Sequence, residues 1–179
     1  MKRVLALLPL AVFAVLLAVL AWFNFHKKER YEPTAMVGQS VPSVVLTDLD
    51  DGGSYDLRTL AAGYKGPILV NMFASWCVPC LSENPQLMAL KARGVPIVGI
   101  AWKDADKDTR NFLNQHDDPY VHTLSDPDGR MAVALGISGV PETFVVQPDG
   151  TISDKIPGPV VPQSVDSVYA AVTKGQKVQ

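Results

Sequence analysis

The sequence predicts an α/β domain, a central mixed sheet flanked by helices, behind one N-terminal apolar helix. Three observations predict it. An uncharged, mostly apolar run of 22 residues, 4–25, lies between Met1-Lys2-Arg3 and His26-Lys27-Lys28-Glu29-Arg30. Residues 67–73 and 95–100 read as strands buried on both faces, the first interrupted only by Asn71. Between these strands a helical pattern opens at Cys77-Val78-Pro79-Cys80 and stops at Gly94, making a β-α-β unit whose strands are parallel.

The other elements follow in chain order. Residues 4–25 as helix reach ~33 Å against a bilayer core of ~30 Å, so 1–30 reads as a membrane anchor. A cleaved signal peptide is the alternative, but its apolar core is shorter, and the best cut, after Ala21, is followed by further bulky residues. Residues 31–40 read as a linker and 41–179 as one domain. Residues 43–47 and 54–57 flank Asp50-Asp51-Gly52-Gly53 as a hairpin. After the β-α-β unit, Asp104 or Asp106 caps a helix to about His116, and 120–124 is extended. Asp128-Gly129 leads into a helix ending at Gly136, residues 143–147 and 151–156 pair across Pro148-Asp149-Gly150, and 163–174 is a last helix.

Of the 16 basic and 18 acidic residues, five and one lie in the first thirty, leaving 11 and 17 and a net charge of −6 on the rest. That balance argues against nucleic acid or an anionic membrane surface as partner. Basic residues flank the apolar run on both sides, Lys2 and Arg3 against Lys27, Lys28 and Arg30, so the positive-inside count does not orient it. Folded domains translocate largely regardless of flanking charge. A domain that works in the cytosol has little need of a tether. The domain is therefore expected outside the cytoplasm.

Chemistry points to the only two cysteines, Cys77 and Cys80. Cys77 sits at the unpaired amides and positive end of a helix, which favours thiolate, and Cys80 lies one turn in, close enough to attack a disulfide formed by Cys77. A structural disulfide across two residues closes little chain and stabilises little. A zinc half-site needs two more ligands, and His26, His116 and His122 show no metal-binding spacing. Redox exchange is the reading that also uses the strand–turn–helix context. No cofactor or metal is called for.

Asn71-Met-Phe-Ala-Ser-Trp-Cys-Val-Pro-Cys80, Glu83, Pro85, Gly99-Ile-Ala-Trp-Lys103, Asp118-Pro-Tyr120 and Gly139-Val-Pro-Glu-Thr-Phe144 resemble the thioredoxin superfamily. Within it they resemble the membrane-anchored thiol:disulfide interchange proteins of cytochrome c maturation, the CcmG/DsbE type. The likeness covers nearly the whole chain. The Val-Pro between the cysteines departs from common family patterns and leaves the redox potential open; Asn84, where some relatives have His, is a second departure. The resemblance implies a thioredoxin-like fold and a cis peptide at Val140-Pro141 that faces the cysteines and offers backbone to an extended substrate. It also implies a buried acid at the position of Asn71. Asn cannot titrate, so Glu83 and Glu142 are the candidates for its role, each otherwise a solvated acid. Trp76 reads equally as rim packing or substrate contact. Trp102 and Tyr120 read as core or groove wall, and Pro85 as a structural proline within the helix.

What the resemblance implies for function is an extracytoplasmic reductant, anchored singly in the inner membrane with its domain in the periplasm. Cys77 attacks a substrate disulfide and Cys80 resolves the mixed disulfide. The implied partners are apocytochrome c or its thiol carrier, and a membrane-embedded thiol reductase that returns electrons. An oxidase or isomerase runs the same chemistry the other way. A copper-binding thiol chaperone would use Cys77, Cys80 and a histidine. A peroxidase motif is absent from residues 73–77.

Overall fold

Residues 2–26 and 36–174 are described by a computed structural model of the chain and belong to two units, 1–32 and 33–179, each considered by itself. In the first, α1 (Lys2–His26) is one continuous helix with Pro9 inside it. Residues 11–22 are exposed on every side, Val12, Phe13, Leu16 and Leu20 among them. The side chains at 2–8, 10 and 23–26 lie outside the described residues. So do residues 27–35, with the basic flank and half of the expected linker, and residues 175–179. Among the described residues no helix is long and apolar enough to cross a membrane.

The second unit begins β1 (Val45–Asp48), β2 (Ser54–Asp56), α2 (Leu57–Ala62), β3 (Ile68–Phe73), α3 (Val78–Ala92) and β4 (Ile97–Trp102). It continues through α4 (Asp106–His116), β5 (His122–Asp126), α5 (Arg130–Ala134), β6 (Glu142–Val146), β7 (Ile152–Pro157) and α6 (Val165–Lys174). One seven-stranded sheet runs β2-β1-β5-β4-β3-β6-β7. β3, β4 and β5 are parallel, and β1, β6 and β7 join antiparallel, so the sheet is mixed as expected. Residues 38–41, partly read as linker, hydrogen-bond to Gly150 and Ile152 along the sheet edge.

Alternation along β3 sorts the core. Ile68, Val70 and Met72 pack with Leu57, Leu60, Met131 and Phe144 on the α2/α5 side. Leu69 and Phe73 pack with Leu87, Leu90, Phe112 and Val168 on the α3/α4/α6 side. With a side-chain period of two, Asn71 belongs to the second face and looks toward α3.

Two local readings are corrected by the structure. The second hairpin strand does not reach residue 57 as the sequence predicts; it ends at Asp56, whose carboxylate accepts from Arg58 N at 2.9 Å and starts helix α2, which the sequence does not predict. The inserted helix α4 is not capped by Asp104 or Asp106: its N-cap is Ala105, without a side-chain cap bond. Asp104 is drawn elsewhere, accepting from Ser75 N at 2.7 Å, Ser75 Oγ at 2.8 Å and Thr109 Oγ1 at 2.8 Å. It thereby ties the loop entering the cysteine helix to the β4–α4 junction.

Candidate active site

The chain turns out of β3 through Ala74-Ser75-Trp76 and enters α3 with Cys77 as N-cap, its φ of −91° and ψ of 104° extended. Cys77 Sγ accepts from Cys80 N at 3.2 Å, the bond an N-cap side chain makes to an orphan amide. Pro79 is tolerated in the first turn, where its missing N–H has no helical acceptor. The helix ends in a Schellman closure: Gly94, φ +83°, donates to Lys91 O at 2.9 Å and Val95 to Leu90 O at 3.1 Å. Cys77 and Cys80 are joined as a disulfide, their Cα atoms 5.3 Å apart.

The buried stripe of α3 reads Cys80, Glu83, Asn84, Leu87, Leu90, spaced three, four, seven and ten residues from Cys80, which puts a carboxylate in line with the second cysteine. Glu83 is 1% exposed. Its Oε1 accepts from Asn71 Nδ2 at 3.0 Å and its Oε2 from Val160 N at 2.8 Å. Burial pushes its pKa up to about 7, against the lowering pull of these two donors. Asn71 also donates to Thr143 Oγ1 at 3.0 Å and accepts from Tyr120 OH at 2.7 Å, so every polar atom of the amide is used. Tyr120 itself is held well above the ordinary phenol range, first by burial and then by the charges of Glu83 and Asp118. Asn84 closes the end of α4, donating to His116 O and to Asp117 O.

Glu142 approaches from the other face. Phe144 and Val146 pack on the α2/α5 side while Val145 packs toward α3, so Glu142, in phase with Phe144, also lies away from α3. Its Oε2 pairs with Lys155 Nζ at 2.8 Å and its Oε1 accepts from Ser138 N and Oγ. The peptide Val140-Pro141 is cis, and the Val140 carbonyl oxygen lies 3.6 Å from Cys77 Sγ. Trp76 is 57% exposed, with Nε1 donating to Lys103 O at 3.3 Å and its ring 5.9 Å from that of Trp102, which makes it a fixed rim residue.

The structure therefore brings together Cys77, Cys80 and Val140, sets Glu83 with Asn71 beneath the helix, and holds Glu142 with Lys155 across the sheet. Sequence reasoning missed Thr143, Lys155, Ser138 and the use made of Tyr120. A lysine at an inward position of β7 is the one signal that would have exposed the ion pair. Among the described residues no cluster of three metal-ligating side chains occurs; His122 Nδ1 lies 2.6 Å from Asp48 Oδ2 and His116 packs against Phe112.

Tyr120 reaches Asn71 across Gly99: a Cβ there would stand 2.7 Å from the tyrosine ring. Gly99→Ala should cost about 1–3 kcal/mol by overpacking and displace the hydroxyl from Asn71. Urea unfolding at the wild-type midpoint would show that the ring has room to move.

A thioredoxin-like sheet carrying a Cys-x-x-Cys disulfide at a helix N-terminus defines a thiol–disulfide oxidoreductase. The family model described as Redoxin matches residues 36–172. A thiol:disulfide interchange protein DsbE homolog of Paracoccus denitrificans is 37% identical over 155 residues, covering 87% of this chain and 85% of its own. The thiol:disulfide interchange protein HelX of Rhodobacter capsulatus is 35% identical over 175 residues, covering 95% and 98%. A secreted Mycobacterium tuberculosis disulfide oxidoreductase superposes with a TM-score of 0.61 at 23% identity, covering 74% of this chain and 96% of its own, which shows the shared fold. The chain belongs to the redoxin family, among the DsbE/HelX thiol:disulfide interchange proteins.

Proposed function

We propose that the domain works as a reductant outside the cytoplasm, delivering electrons to disulfides of apocytochrome c or of the thiol protein that carries it. The observation that carries the reductive direction is Glu83, a buried carboxyl with a pKa of about 7 on the same helix stripe as Cys80. A carboxylate beside the dithiol disfavours thiolate, raises the energy of the reduced form, and makes the pair a better electron donor. In the reaction the Cys77 thiolate attacks one substrate sulfur, forming a mixed disulfide and expelling the other as a thiolate that takes up a proton. Cys80 then attacks Cys77 Sγ, the second substrate sulfur leaves as thiol, and the domain is left as the Cys77–Cys80 disulfide, oxidised by two electrons. Glu83 exchanges the Cys80 proton near neutral pH.

Val140 and Pro141 receive the substrate as an extended segment, with Trp76 on the rim. The cytochrome c pathway follows from the resemblance of the Val140-Pro-Glu-Thr-Phe144 and Cys-x-x-Cys segments to that family. The anchor is read from the sequence alone, from the 22-residue uncharged and mostly apolar run of 4–25 between two basic flanks. It holds the domain on the periplasmic face of the inner membrane, near a membrane-embedded thiol reductase that restores the dithiol.

Equilibration of the domain with glutathione tests the direction. The expected potential lies below that of the glutathione couple, so the domain stays reduced only with a donor. In a strain lacking the gene, c-type haem proteins should fall and return on addition of an external thiol. Normal haem attachment with scrambled secreted disulfides would make the protein an isomerase instead.

A further inference from the structure

We propose that Lys155 is a positioning residue for disulfide exchange, holding through Glu142 the loop that presents Val140 to Cys77. The proposal rests on dithiol–disulfide exchange alone and is independent of its direction, substrate and cellular side. Lys155 and Glu142 form an ion pair of 2.8 Å whose side chains are 1% and 3% exposed. The β6–β7 register sets Glu142 opposite Pro157 and Phe144 opposite Lys155, so the two charges are diagonal neighbours on one face of the sheet. Lys155 Nζ also lies 5.3 Å from the centroid of the Phe144 ring, in surroundings where an ammonium is tolerated only against an anion.

The other carboxylate oxygen closes the loop. Glu142 Oε1 accepts from Ser138 N at 3.2 Å and Ser138 Oγ at 2.9 Å, so residues 138–142 form a ring pinned from the neighbouring strand. Inside that ring is the Val140 carbonyl, 3.6 Å from Cys77 Sγ. Glu142 is two residues further on, within about 7 Å of Val140 along the chain. Lys155 thus does two things at once. It fixes the carboxylate that shapes the loop, and it cancels a negative charge that would otherwise disfavour the Cys77 thiolate. Glu83 faces the site from α3 in every variant, so its effect is common to all of them.

The test titrates Cys77 by the pH dependence of iodoacetamide alkylation in the reduced full-length protein, beside the rate of insulin disulfide reduction. Lys155→Met should raise the thiol pKa by about half a unit to one unit and slow reduction several-fold, on the scale of one nearby charge uncovered. Glu142→Gln should lower the pKa by a similar amount, because it removes a negative charge from the loop beside Cys77 and leaves the lysine in place. Lys155→Met with Glu142→Gln should return the pKa to near wild type, and Lys155→Arg should barely move it. A Lys155→Met protein with an unchanged pKa, or a double variant displaced as far as Lys155→Met alone, overturns the proposal. Should Lys155→Met not fold, Glu142→Gln decides: an unchanged or raised pKa is fatal.

Discussion

Cys77→Ala is expected to abolish disulfide exchange, and Cys80→Ala to accumulate mixed disulfides with substrate. The two sulfurs are almost equally buried, 5% and 3% exposed by residue, so access alone does not choose between them. Their positions on the helix do. Cys77 is the N-cap and already accepts an amide hydrogen bond from Cys80, whereas Cys80 lies within the first turn and heads the buried stripe that continues to Glu83. Negative charge gained on Cys77 is met by that amide and the positive end of α3; charge gained on Cys80 meets Glu83 further along the same stripe. The neighbours point the same way, since Trp76 and Val78 are exposed and frame Cys77. Loss of the covalent nucleophile should cost on the order of 10³-fold or more. Loss of the resolver leaves the first bond-forming step intact and blocks the second. Non-reducing gels of each variant with an apocytochrome Cys-x-x-Cys-His peptide separate the cases, and adducts formed through Cys80 in Cys77→Ala would reverse the assignment.

The parts of this site that were legible in the sequence are those in which one stretch of chain carries the whole instruction. The run 67–73, the cysteine pair and Gly94 together describe a strand, a turn and a helix with its stop, and β3, α3 and the Schellman closure follow them closely. What stayed hidden depends on which residues the sheet brings together. Asn71 meets partners 12, 49 and 72 positions away, at Glu83, Tyr120 and Thr143, and no local pattern announces them. Glu83 and Glu142 looked alike as candidate acids because their difference lies in the face of the sheet each one reaches. The face is set by register, and Lys155 reaches Glu142 across a strand pair whose register shifts at Val145/Val146. Helix α2 escaped notice because six residues are too few for a helical period to show. The cap of α4 is not legible locally because Asp104, Asp106 and Asp108 all stand near its start, and Ser75 and Thr109 draw Asp104 away from it.

Glu83→Gln should remove most of the pH dependence of stability between pH 4.5 and 7. In the folded protein Glu83 titrates at about 7, against an ordinary value of 4.5. Between these limits the folded state holds a proton that the unfolded chain has released. Stability therefore falls as pH rises through this window and has lost the whole contribution above it. The gap from 4.5 to about 7 corresponds to about 3 kcal/mol at 1.36 kcal/mol per pKa unit. Glutamine does not titrate, so its profile should be flatter by that amount. The absolute level is set by a separate effect. An amide at position 83 cannot accept from both Asn71 Nδ2 and Val160 N, and one unmet buried donor costs about 1–3 kcal/mol at every pH. The variant should thus be less stable than wild type near pH 4.5 and overtake or equal it by pH 8. Urea unfolding of the oxidised protein isolates the effect, because the Cys77–Cys80 disulfide carries no titrating thiol. Parallel slopes in the two proteins would mean that Glu83 is already ionised at pH 5 in the folded state. Such a group could not exchange the Cys80 proton near neutral pH, and Glu83 would lose its part in the chemistry together with its part in the stability.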